Sequence, residues 1–113
     1  MIDVDSLLKS TLSAQCPNVA RLLFKGKANV FITYQLVMAR DTDPADDELH
    51  GTEYLYRVGI YSKTDYIALL SKTKRALKEA GFYGLVINPE DYEEDTGYFH
   101  VPIETKYYDD LEA

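Results

Sequence analysis

Two acidic runs hold the side chains with the most chemical potential in this sequence. One is DTDPADDELHG, which carries Asp41, Asp43, Asp46, Asp47 and Glu48; the other is DYEED, from Asp91 to Asp95. Clustered carboxylates offer hard oxygen ligands for calcium or magnesium, and a pair of them can serve as acid and base in glycoside hydrolysis. Neither run has the spacing those jobs need. An EF-hand wants acids or amides at alternating positions, a mid-loop glycine and a terminal glutamate, and Pro44 interrupts the first run. Both are read as solvated loops.

The remaining candidates are weaker. His50 and His100 are far apart and lack a zinc-ligand spacing such as HExxH, so a surface histidine and a hydrogen-bonded strand histidine are expected. Cys16 has no CxxC partner or sequence-adjacent histidine and reads as a small buried or half-buried hydrophobe. The scattered glycines form no GxGxxG or Walker loop to cradle a phosphate. No catalytic residue, metal or cofactor is therefore assigned.

The segment that must position everything else is TEYLYRVGIYSKTDYIALLSKTKRALKEAGF, Thr52 to Phe82. Tyr54, Tyr56, Val58 and Ile60 alternate with Leu55, Arg57, Gly59 and Tyr61, the period of a strand with one face more buried. Ser62 is the expected N-cap of a following helix, with Asp65 as the capping-box acid and Tyr61 and Tyr66 as a hydrophobic staple. Ile67, Leu70, Thr73, Leu77 and Ala80 form an apolar stripe, widened by Leu69 and Ala76. Lys63, Lys72, Lys74, Arg75, Lys78 and Glu79 fall largely outside it, giving a basic wet face. Gly81 is the expected left-handed residue after the helix, with Phe82 folding back on Leu77 as in a Schellman motif.

The flanking elements follow from the same periodicities. A first helix capped by Asp3 or Asp5 runs to about Gln15, with Val4, Leu7, Leu8 and Leu12 on one face and Pro17 beyond its end. VARLLF, Val19 to Phe24, reads as a short strand joined through a KGK turn to NVFITYQLVMAR, Asn29 to Arg40, as a hairpin. In that second strand Val30, Ile32, Tyr34, Leu36 and Met38 share a face, opposite Phe31, Thr33, Gln35 and Val37. YGLVIN is a later strand, EDYEEDTG a turn, and YFHVPIETKYY a last strand whose Pro102 suggests an edge or a bulge. DDLEA reads as a frayed acidic tail. The order α-β-β-β-α-β-β predicts the α+β class: one domain over residues 1–113, a mostly antiparallel sheet of about five strands with two helices packed on it.

Composition narrows the classes. A chain of 113 residues with 46% hydrophobic content can build one core, and a single cysteine excludes an intramolecular disulfide. MIDVDSLLKSTLSAQCP places acids before its apolar residues, so no secretory signal is expected. No segment approaches the ~20 apolar residues of a membrane span. A soluble product retained in the cell that makes it is expected, unless it leaves as part of an assembly. The net charge of −7 opposes general attraction to nucleic-acid phosphates. Ten tyrosines without a tryptophan suit both strand packing and contact surfaces.

Taken together, VFITYQL, the acidic Pro-containing loop, the TEY strand leading into YSK, the DY at the helix start, LKEAGF and YEEDTGYFH resemble the small tail-completion or tail-terminator proteins of long-tailed bacteriophages and prophages. The similarity spans roughly Val30 to Tyr108. It implies an α+β structural subunit without an active site. The subunit would form a homo-hexameric ring in the assembled tail, be monomeric or assembled when free, cap the head-proximal end of the tail tube and join it to the head connector. The implied partners are further copies of itself, the tail-tube protein and the head-connector protein, with no sequence-specific nucleic acid and no membrane. The implied location is the virion tail, and the host cytoplasm during assembly.

Within that expectation Asp41, Asp43, Asp46, Asp47 and Glu48 either line a channel and repel DNA or meet a neighbouring subunit. The basic helix face of Lys72, Arg75 and Lys78 is the matching interface candidate. The alternative is a small acidic regulatory or inhibitory module that binds a basic protein.

Overall fold

The computed structural model describes residues 3–42 and 51–110. Asp3 caps the first helix, α1 (Val4–Ser13), by accepting a hydrogen bond from the Ser6 amide at 3.1 Å. Its i, i+4, i+8 stripe of Val4, Leu8 and Leu12 is buried. Then come β1 (Val19–Arg21), β2 (Val30–Thr42), β3 (Gly51–Ser62), α2 (Ile67–Glu79), β4 (Tyr83–Ile87), β5 (Asp91–Glu93) and β6 (Tyr98–Asp110). The α+β class and the expected element order hold, with β5 as an addition. It pairs Asp91 with His100 and Glu93 with Tyr98, so part of the predicted acidic turn is a short hairpin strand.

The sheet runs β1-β2-β3-β6-β4, with β5 also on β6. The pairings are antiparallel except one. β1 lies parallel to β2, pairing Val19 with Ile32 and Arg21 with Tyr34, so the expected hairpin does not form. Leu22 explains the difference. Its φ of 67° turns the chain away from β2, and residues 22–29 loop back to start β2 in the same direction as β1.

Pro102 is also placed differently from expectation, because β6 is interior to the sheet. The Pro102 carbonyl accepts from the Asn88 amide at 2.9 Å, on the side where β4 has ended and β5 has not begun. The missing proline N–H faces that gap, so no ladder bond is lost.

Both helices pack on one sheet face, against Ile32, Tyr34, Tyr56, Val58, Ile60, Val101 and Ile103, which with Leu8, Leu12, Leu77 and Phe82 make one core. The α2 stop signals behave as read: Gly81 has φ 102°, its amide donates to Lys78 O, and Phe82 donates to Leu77 O. The start signals do not. Ser62 is buried at the end of β3, where its hydroxyl bonds Thr64; the N-cap position falls to Tyr66, and Asp65 just before it accepts from the Ile67 amide at 3.0 Å. Tyr61 and Tyr66 form no staple, because Tyr61 lies on the sheet face away from the helices.

Strands of 12 or 13 residues reach ~40 Å, whereas the 13 residues of α2 reach only ~20 Å. The helices therefore cover part of the sheet, and the far ends of β2, β3 and β6 project as an arm, giving extents of 53 × 24 × 24 Å.

Candidate functional site

On the sheet face opposite the helices, Phe31, Tyr61 and His100 are direct cross-strand neighbours on β2, β3 and β6. Their rings stack in series, 4.5 Å from Phe31 to Tyr61 and 4.1 Å from Tyr61 to His100, and Phe24 extends the stack at 4.7 Å. Tyr98 stands edge-on to Phe31, with the Lys63 ammonium 5.0 Å from its ring centre. Gly59 makes room for the stack. A Cβ there would lie 3.1 Å from His100 Nε2 and Thr33 Oγ1. Burial holds His100 below the ordinary histidine range, partly offset by the nearby Glu93 and Asp91 carboxylates. His100 is thus a stacked strand histidine.

Further along the same face, a polar chain crosses the sheet from one edge to the other. The Tyr83 hydroxyl, on β4, reaches over β6 to donate to Glu53 on β3 at 2.8 Å, and Arg40 on β2 donates to Glu53 at 3.0 Å. The Tyr83 hydrogen bond, the largest effect, holds the Glu53 carboxyl below its usual range; burial opposes it, and the Arg40 bond and the Lys106 charge add to the lowering. Burial and Glu53 push the Tyr83 hydroxyl up to about 12. A bulge makes this reach feasible: Gly84, at φ 61°, and Leu85 together occupy the step opposite Thr105, so Leu85 packs inward while Tyr83 stays outward.

Of the predicted acidic site, Asp41 is placed near the end of β2, where it accepts from the Thr52 hydroxyl at 2.9 Å. Asp43, Asp46, Asp47, Glu48 and His50 lie outside the described residues. Lys72, Arg75 and Lys78 are all exposed on α2. Lys78, in its last turn, complements the helix dipole, and with Lys74 it rims an open cleft of about 490 Å³ lined by Phe82, Tyr83, Gly84, Leu85 and Ile87. Within one chain Asp41, the one described member of the acidic set, lies apart from these basic groups. Asp41 is on β2 and the cleft is at β4, three strand spacings away, or about 14 Å. No group of three or more metal-ligating side chains occurs among the described residues. No helix among them is long and apolar enough to cross a membrane.

Sequence reasoning missed the two sheet edges. β1 covers β2 only as far as Tyr34, and beyond it Leu36, Val37 and Met38 are exposed. On the opposite edge Tyr83, Val86 and Ile87 of β4 are exposed as well. A bulge at Val37 also moves Met38 from the face shared with Leu36 to the other one, correcting the simple alternation. The apolar runs QLVMA and YGLVI, which carry no charge and no proline, were the available signal.

No protein-family model matches the chain, and no curated protein matches it by sequence. Among solved structures, its fold is similar to that of a chain in the virion of a native gene transfer agent particle. The TM-score is 0.53 at 12% identity, and the alignment covers 97% of this chain and 99% of that one. At that identity the likeness is one of fold, running the whole length of both chains.

Proposed function

We propose that this chain is a structural subunit of a phage-type virion, and within it the tail-completion subunit that caps the head-proximal end of the tail tube and joins it to the head connector. The observation that carries the reading is the end-to-end fold likeness to a virion chain. The finer role rests on the resemblance to tail-completion proteins read over Val30 to Tyr108. The role is one of assembly: exposed apolar edge strands and a tyrosine-rich surface are suited to burial against neighbours. The acidic surplus keeps such a ring from holding the DNA that passes it.

The test is an add-back experiment with polymerising tail-tube protein. Purified chain is expected to stop tube growth and to be found by electron microscopy as a cap at one end. Tubes of unchanged length with no bound protein contradict the role. A strict monomer that instead captures a basic protein tightly would favour the inhibitory module.

A further inference from the structure

We propose that copies of this chain join head to tail through their two open sheet edges, the β2 segment from Leu36 to Asp41 of one copy lying against β4, Tyr83–Ile87, of the next. The inference rests on the assembly reading above and names the surface that does the assembling.

The edges are open for identifiable reasons. Along β2 the even positions turn their backbone groups toward β1: Ile32 donates to Asn18 O, and Leu22 donates to Tyr34 O. Leu36 is next in that series and lies past the point where Leu22 turns the chain away. Monomeric proteins guard such edges with lysine, proline or inward charges; Gln35–Ala39 and Tyr83–Ile87 contain none, and of the two charges that end the β2 segment Arg40 pairs with Glu53 and Asp41 accepts from Thr52. The bulges at Val37 and at Gly84–Leu85 interrupt each edge locally. They leave large apolar side chains bare on both: Leu36, Val37 and Met38 on β2, Tyr83, Val86 and Ile87 on β4.

The two edges also match in level, direction and charge. Following the register across the sheet, Tyr83 is level with Lys106, Leu55 and Met38, and Val86 is level with Glu104, Arg57 and Gln35. A neighbour related by rotation about an axis along the strands therefore presents its β2 at the height of β4, without axial offset. Because β2 and β4 run in opposite directions within one chain, that neighbour forms an antiparallel pair, the more stable kind. Asp41, three residues beyond Met38 on the helix side of the sheet, is carried toward the C-terminal half of α2, where Lys74 and, in the last turn, Lys78 rim the cleft beside β4. A second copy thus brings Asp41 toward the lysines that one chain keeps at its opposite sheet edge. Such a heterologous contact closes into a ring if the rotation per copy allows it, and otherwise extends as a filament.

The test uses the full chain with paired cysteines, Met38→Cys with Tyr83→Cys, the positions placed level by the register. Buried Cys16 is retained. On oxidation at high concentration the double variant is expected to give a covalent ladder of dimers, trimers and larger species. Either single variant should stop at dimer. A double variant that is folded by circular dichroism yet gives no more ladder than a Met38→Cys, Glu94→Cys control overturns the proposal. As a second arm, Met38→Lys and Val86→Lys each disable a different edge, so mixing them should yield a one-to-one heterodimer and nothing larger. Rings formed by both variants alone also overturn the proposal. These outcomes are separable from the tail role: rings without the 38–83 link sink the edge pairing alone, and linked copies that never stop tube growth sink the tail role alone.

Discussion

Three residues make the local physics testable. Leu22 holds a left-handed backbone at φ 67°, which for a residue with a Cβ costs roughly 1–2 kcal/mol, and its side chain is largely exposed. Leu22→Gly is therefore expected to stabilise the chain by about 1 kcal/mol in urea denaturation. Thr73 is fully buried in α2, and its hydroxyl finds no hydrogen-bond partner among the described residues. Thr73→Val keeps the shape and removes the unsatisfied oxygen, so a gain of about 1 kcal/mol is expected by the same measurement. His100 supplies the pH dependence. Burial favours its neutral ring, so below about pH 6.5 the unfolded chain binds more protons than the folded one. Its contribution is complete above the unfolded pKa and is lost as pH falls through that value and the lower folded one. The urea midpoint should fall between about pH 7 and about pH 5.5, and less steeply in His100→Gln. An equal slope in both proteins would remove His100 from the account. None of these three environments was legible in the sequence. Each depends on what a distant strand or helix places beside the residue, and Leu is a rare choice for a left-handed turn.

At the scale of elements, what could be read was what short-range chemistry determines. The helix stop at Gly81 and Phe82 needs only local bonds, and it was legible residue by residue. Gly81→Ala should lose about 1–2 kcal/mol, since φ is 102° and the new Cβ would stand 3.3 Å from the Tyr107 ring. No loss on thermal or urea unfolding would contradict the Schellman assignment. The helix start was misread, because Ser62 has a good capping residue's chemistry but is needed at the end of β3, so α2 starts later, with Tyr66 at the N-cap position and Asp65 bonding the Ile67 amide. The partner of β1 was misread for a related reason. KGK is a plausible hairpin turn, but the chain had already turned at Leu22, and strand direction is a tertiary outcome. Pro102 was read as marking an edge or a bulge, yet β6 is interior and the proline sits opposite the gap between β4 and β5, where no ladder N–H is needed.

For the whole molecule, alternation along β3 and β6 and the amphipathic stripes of both helices were enough to give the α+β class and element order. The sheet's open edges were not readable from those patterns, since they follow from where β1 ends and from the register that levels Tyr83 with Met38. Those edges, the long uncovered arm and the end-to-end fold likeness to a virion chain are what the proposed assembly role rests on. The most direct test of that claim is electron microscopy of tails made by a phage or prophage lacking only this chain. Overlong tails, or tails unjoined to heads, are expected, with normal particles restored by supplying the chain in trans. Tails of normal length on infectious particles would contradict it.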